Sequence, residues 1–205
     1  GTEITIKVNV IGTFLLVVNI LPMLRRSREK TGQTARLVIT SSVMHEDAKF
    51  AERHKTSIFD SFNKDNKSYI SDRYNTSKLL EVFLTRSIAA AMHKGPHATQ
   101  PVILNTVNPG LCHSVLDKDV KGVAGTILTV AKALMARTTE VGGRTLVHST
   151  AAGEESHGQY MSACRVKEPS AFVIRSKEGV EVQERVHKEL KGILETIQPG
   201  ITNKI

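Results

Sequence analysis

Arg36-Leu37-Val38-Ile39-Thr40-Ser41-Ser42 is a short apolar run, rich in branched side chains, that stops on two hydroxyls. Such a run reads as a strand buried on both faces, the kind found in parallel sheets. The pattern returns in Val102-Ile103-Leu104-Asn105-Thr106-Val107, which Asn108-Pro109-Gly110 stops. Gly158-Gln159-Tyr160-Met161 is a shorter third candidate.

Stretches of helical period separate these runs. Tyr74 to about His93 carries Leu79, Leu80, Phe83, Leu84 and Ile88 on one face, and Gly95-Pro96 ends it. Val123 to Arg137 is again helical in pattern, after a loop from Cys112 to Gly122. Thr138-Thr139-Glu140 reads as a helix start, a hydroxyl cap with an acid in the first turn, for a helix reaching about Ala151. A last amphipathic helix carries Val182, Val186, Leu190, Ile193, Leu194 and Ile197, with Pro199-Gly200 as its stop. Ahead of the first strand, Ile4, Val8, Ile11, Leu15 and Val18 recur at helical spacing between Thr2 and Arg26. Apolar residues on its other faces predict burial on more than one side. The polar stretch from Val43 to Arg73, anchored by Phe50, Ile58, Phe59 and Phe62, is long enough to be functional or partly helical.

This alternation is that of an α/β fold, a Rossmann-like open parallel sheet with helices on both faces, in a single domain over residues 1–205. Ligands in such sheets bind outside the carboxyl ends of the strands. Ser41-Ser42 and Pro109-Gly110 end two strands, and the helix beginning at Tyr74 connects them. On that helix Tyr74 and Lys78 share one face. An isolated phenol titrates near ~10, and a neighbouring ammonium favours its anion, so the pair suits general acid/base work.

The net charge of +8 invites a nucleic-acid reading. The cations are spread along the chain, with no dense run and no interleaved aromatics, so a solvated basic surface accounts for them. Val8 to Leu24 is short for a membrane span and contains Asn9, Asn19 and Pro22, so a core helix is expected. Cys112 and Cys164 are too few for a disulfide framework, and reduced thiols in a cytoplasmic protein are the expectation. His93 and His97 have ligand spacing, yet Gly95-Pro96 between them breaks the helix that a zinc pair would need.

Taken together these residues resemble the short-chain dehydrogenase/reductases. The marks are Asn9-Val10-Ile11-Gly12 on the first helix, Ser41-Ser42 ending a strand, Tyr74 with Lys78, and Asn108-Pro109-Gly110 ending the next strand. The nearest likeness is to retinol-dehydrogenase-like and fungal members, often of secondary-metabolite pathways. It rests on the polar insert before the tyrosine, the run Asn108 to Ser114, and the tail from Thr139-Glu140-Val141-Gly142 through Gly158 to Ser162.

The resemblance implies hydride transfer between NAD or NADP and a small carbonyl or alcohol substrate, and it allows an oligomer. It implies that Tyr74 exchanges the proton with the substrate oxygen, while Lys78 lowers the phenol pKa and bonds the nicotinamide ribose. Ser42 would hold the substrate oxygen, and Asn9 would anchor a water linking Lys78 to solvent. Pro109-Gly110 would let the backbone pass near the nicotinamide, with Ser114 against the carboxamide. Read singly, Asn9 and Ser114 are ordinary polar residues, Ser42 suits a turn cap, and Pro109-Gly110 a plain turn.

The family's opening strand and Gly-x-x-x-Gly-x-Gly turn have no counterpart here, and Gly122 with Gly125, or Gly142-Gly143, follow no strand. The expectation is an N-terminally truncated member lacking the first βαβ units. About three strands then remain, with Leu37 to Thr40 at an open edge. The alternative is a non-catalytic remnant, an interaction module that pairs through that edge.

Overall fold

The computed structural model describes residues 2–62, 72–112, 136–170, 172 and 176–205. The expected helix Val123–Arg137, the loop Cys112–Gly122 and Ser114 fall wholly or largely outside them. A four-stranded sheet has the order β1 (Arg36–Thr40), β2 (Ile103–Asn108), β3 (Tyr160–Ser162), β4 (Arg165–Lys167). β1 and β2 are parallel, in register from Arg36 against Ile103 to Thr40 against Val107. β3 is parallel to β2, and all six residues of β2 are buried, as a central strand requires.

The expected all-parallel, three-stranded sheet needs one correction. β4 runs antiparallel to β3, from Arg165 opposite Ser162 to Lys167 opposite Tyr160. Ala163 and Cys164 form the connecting turn with φ of 51° and 58°, the two positive angles of a tight hairpin. Neither residue type announces such a turn, and Arg165-Val166-Lys167 is wholly exposed, so no apolar run marks the strand. Among the described residues β1 lies at the sheet edge, as expected.

The first helix, α1 (Ile4–Thr31), is continuous and outruns its expected end at Arg26. Gly32 stops it, taking a left-handed φ of 70° while its N–H bonds the Arg28 carbonyl at 2.8 Å. Six residues, Lys7–Gly12, form a π-helical segment within it. Burial follows one face, through Ile6, Val10, Phe14, Val17, Val18 and Leu21. Ile4, Val8, Leu16 and Met23 are exposed, so the expected burial on several sides does not hold among the described residues. By length and composition alone α1 could cross a membrane, as core helices also can. Here its buried face joins the main hydrophobic cluster.

The tyrosine helix, α3 (Arg73–Lys94), follows the short helix α2 (Ile58–Ser61) and ends at Gly95. Its start is tied down from several directions. The Asp72 carboxylate accepts the backbone N–H groups of Lys49 and Phe50 and the Thr76 hydroxyl at 2.8 Å. Arg73 pairs with buried Glu52, and its guanidinium lies 4.7 Å over the Phe62 ring. The described part of the polar excursion, through Phe62, is therefore folded, with 3₁₀ turns at Val43–Asp47 and Ala51–His54. α3, α1 and α5 (Lys177–Ile197) share one core. On the opposite sheet face, α4 (Thr139–Ala151) is reached by Asn105, whose amide donates to the Ser149 carbonyl at 3.2 Å. Leu104, the neighbouring residue on β2, points instead into the α3 core. Helices thus cover both faces.

Thr138 caps α4 as expected, accepting the Val141 N–H. Gly142 in its first turn has a packing reason. A Cβ there would sit 2.4 Å from Cys112 Sγ, whereas one on Gly143 meets nothing within 4 Å. Gly142→Ala should therefore lose about 1–3 kcal/mol in urea unfolding. Gly143→Ala should be neutral or gain up to ~1 kcal/mol.

Candidate active site

The parallel pairing of β1 and β2 sends Ser41-Ser42 and Asn108-Pro109-Gly110 out of the same end of the sheet. The ladder continues past β1, since Ser41 N–H donates to the Val107 carbonyl at 2.8 Å. Ser42 Oγ accepts the Met44 N–H at 3.2 Å and so caps the turn Val43–Asp47. That is the cap role read from sequence, and it leaves the half-buried hydroxyl free to donate. His45 fixes the same residue from below. Its Nδ1 lies 2.7 Å from the Ser42 carbonyl and its Nε2 accepts the Ser170 N–H at 3.1 Å. Those partners require a neutral imidazole with the proton on Nδ1, and burial accordingly lowers its pKa.

Lys78 reaches back over the first turn of α3, with Nζ 5.6 Å from the centre of the Tyr74 ring. The tyrosine is 38% exposed. Lys78 Nζ donates to the Thr40 carbonyl at 3.0 Å, two residues before Ser42. It also donates to Glu81, at 2.9 Å to Oε1 and 3.2 Å to Oε2. Ser41 Oγ donates to the Lys78 carbonyl at 3.2 Å, closing the link between strand end and helix. Asn9 lies in the π-helical segment, and its amide donates to Ser77 Oγ at 3.1 Å. Ser77 in turn donates to the Tyr74 carbonyl at 2.7 Å. Asn9 is thus attached to the tyrosine turn through a direct protein contact.

At the end of β2, Gly110 takes a φ of 82°, which suits glycine, and its N–H bonds Asn108 Oδ1 at 3.0 Å. A Cβ added at Gly110 would sit 3.4 Å from the Arg137 guanidinium. Ser114 lies outside the described residues. Sequence reasoning passed over Arg137, His45 and Glu81. Glu81 carried a signal, an acid three residues after Lys78 set among Leu79, Leu80, Val82, Phe83 and Leu84. Burial pushes its carboxyl up to about 7 even though Lys78 pulls the other way.

No protein-family model matches the chain. Individual relatives do. It is 42% identical over 205 residues to a short chain dehydrogenase/reductase of Cryptosporiopsis, covering 98% of this chain and 61% of that protein. It is 38% identical to a short chain dehydrogenase of Gibberella zeae, covering 98% of this chain and 58% of that protein. The chain belongs to the short-chain dehydrogenase/reductases. A family member of Penicillium roqueforti is 39% identical, over 97% of this chain and 53% of its own length. The chain therefore spans little more than half the length of these curated relatives.

The family's nicotinamide cofactor can be tested against the residues present. At the strand ends stand a lysine ammonium held by the Thr40 carbonyl and Glu81, a serine hydroxyl free to donate and a glycine exit with no side chain. That donor set suits a ribose and a flat amide-bearing ring, so the nicotinamide end fits. The sequence holds no glycine-rich turn for the pyrophosphate.

Because the folded-state pKa of Glu81 is raised above the unfolded value, the native chain binds the extra proton between the two. Stability should fall as pH climbs from about 4.5 to about 7. Urea unfolding across this window should show a decline on the order of a few kcal/mol, and Glu81→Gln should remove that part of it.

Proposed function

We propose that the protein is an NAD- or NADP-dependent oxidoreductase acting on a small carbonyl or alcohol, in fungal secondary metabolism. The observation that carries this reading is Lys78 beside Tyr74 at the strand ends, within 5.6 Å of the phenol ring. The fungal relatives named as short-chain dehydrogenases support it. The two free cysteines fit a cytoplasmic setting.

The nicotinamide supplies or accepts the hydride when bound. In the reading proposed here the chain's own residues handle the proton and the positions. Tyr74 Oη gives a proton to the alkoxide oxygen in reduction and takes it back in oxidation. Lys78 favours the phenolate by its charge, which eases that exchange. Ser42 Oγ–H donates to the substrate oxygen and holds it within reach of the phenol. Asn9, through Ser77 and the Tyr74 carbonyl, fixes the turn that aims the phenol.

The test is consumption of reduced nicotinamide by the protein expressed from its native gene, with a panel of ketones and aldehydes. Turnover is expected with at least one of them, and Tyr74→Phe should lower kcat by about 10²–10⁴-fold. Ser42→Ala should raise KM as well as lower kcat. Failure to oxidise NADH or NADPH with any carbonyl, or full activity in Tyr74→Phe, overturns the proposal.

A further inference from the structure

Lys78 has three N–H donors and three acceptors around them. These are the Thr40 carbonyl at 3.0 Å and the two Glu81 oxygens at 2.9 and 3.2 Å. The Glu81 side chain is 3% exposed and that of Lys78 11%, so water competes little for this contact. An ion pair so enclosed acts on its neighbours as a dipole and not as a bare ammonium. The Tyr74 ring sits on the outer side of that pair, exposed, with Nζ at 5.6 Å.

We propose that Glu81 is a positioning residue that clamps Lys78 against the Thr40 carbonyl and, by neutralising its charge, limits how far the lysine can acidify Tyr74. Its purpose rests on the oxidoreductase reading, but its physical content does not. With the carboxylate present, Lys78 is held at one place and its field at the phenol is partly cancelled. Protonating Glu81 removes the counter-charge and frees the ammonium to act at full strength and to turn one N–H toward a ribose hydroxyl.

The groups around the carboxyl are few. Lys78 on its own helix is the charged group acting on it, and the Ser41 hydroxyl lies beside it at the strand end. Among the described residues, α1, the Val43–Asp47 turn, β2 and α5 also pack on this helix and add no charged partner to that carboxyl. Its raised pKa, near neutrality, places the change within a physiological range. Burial is the larger cause and Lys78 the smaller, so the clamp offsets only part of the cost of ionising the pair.

The test reads the phenol directly and needs neither cofactor nor turnover. The chain has three tyrosines, Tyr69, Tyr74 and Tyr160, so ¹³Cζ-tyrosine spectra assigned through Tyr→Phe variants give each midpoint. Glu81→Gln keeps an acceptor for Lys78 and deletes the charge. It should move the Tyr74 midpoint down by about one pH unit and leave Tyr160, already pushed up to about 12 by burial, where it is. Lys78→Met should move Tyr74 upward, and adding Glu81→Gln to it should then change little. Wild type supplies a measurement that needs no variant. The Lys78 ζ-nitrogen resonance should shift with the same midpoint as the Glu81 carboxyl carbon. An unchanged or raised Tyr74 midpoint in Glu81→Gln overturns the proposal, as does a Lys78 resonance blind to the Glu81 titration. Absence of hydride transfer alone would count against the proposed function and not against this clamp.

Discussion

Parallel pairing of β1 with β2 is the constraint on which the rest of the molecule depends. Two parallel strands cannot be joined by a tight turn, so the chain must cross the sheet and come back. The crossing here is α3, which packs against β2 and lies between the two strands in the chain. Once β1 and β2 share a register, both exits face the same way, and the helix connecting them presents its first turns to those exits. Thr40, Ser41 and Lys78 are then joined by two hydrogen bonds that no local sequence relation would require. The site is a consequence of strand direction before it is a matter of residue identity.

The periphery is held by polar groups with fixed partners. Asp72 satisfies two backbone donors of the excursion and the hydroxyl of Thr76, so the loop after Ser42 and the start of the tyrosine helix are tied together. His45 does the same between Ser42 and Ser170, with its ring 4.7 Å from that of Tyr160. A buried imidazole with a donor facing one nitrogen and an acceptor facing the other has one permitted tautomer. Each of these contacts spends a side chain on orientation, and each lies one layer outside the residues that would meet a substrate.

Much of this was legible from the residues, and the reasons are specific. Arg36 to Ser42 and Val102 to Val107 announce themselves because a strand buried on both faces has to be apolar throughout. Tyr74 with Lys78 is visible because helical spacing puts them on one face. The hairpin at Ala163-Cys164 was not legible, since its positive angles fall on residues that do not prefer them and β4 is exposed. The extension of α1 to Thr31 was missed because polar residues hid it, and only Gly32 marks its end. Glu81 was hidden for the opposite reason. Among five apolar neighbours a single acid looks like an interruption, and its meaning depends on Lys78 folding back beside it.

The π-helical segment Lys7–Gly12 changes the phase of the helix that contains it. An α-helix turns about 100° per residue, so a widened turn that absorbs one extra residue rotates everything before it relative to everything after it. Ile6 upstream, and Phe14, Val17, Val18 and Leu21 downstream, all face the core although they lie on either side of that slip. Asn9 occupies the slip itself and turns inward to Ser77. Taking out one residue there would restore an ordinary helix with every i to i−4 bond intact. It would also turn the asparagine, or the apolar stripe, away from its neighbours. The segment works as a phase corrector, a local misfit in winding by which one helix serves both the core and the tyrosine.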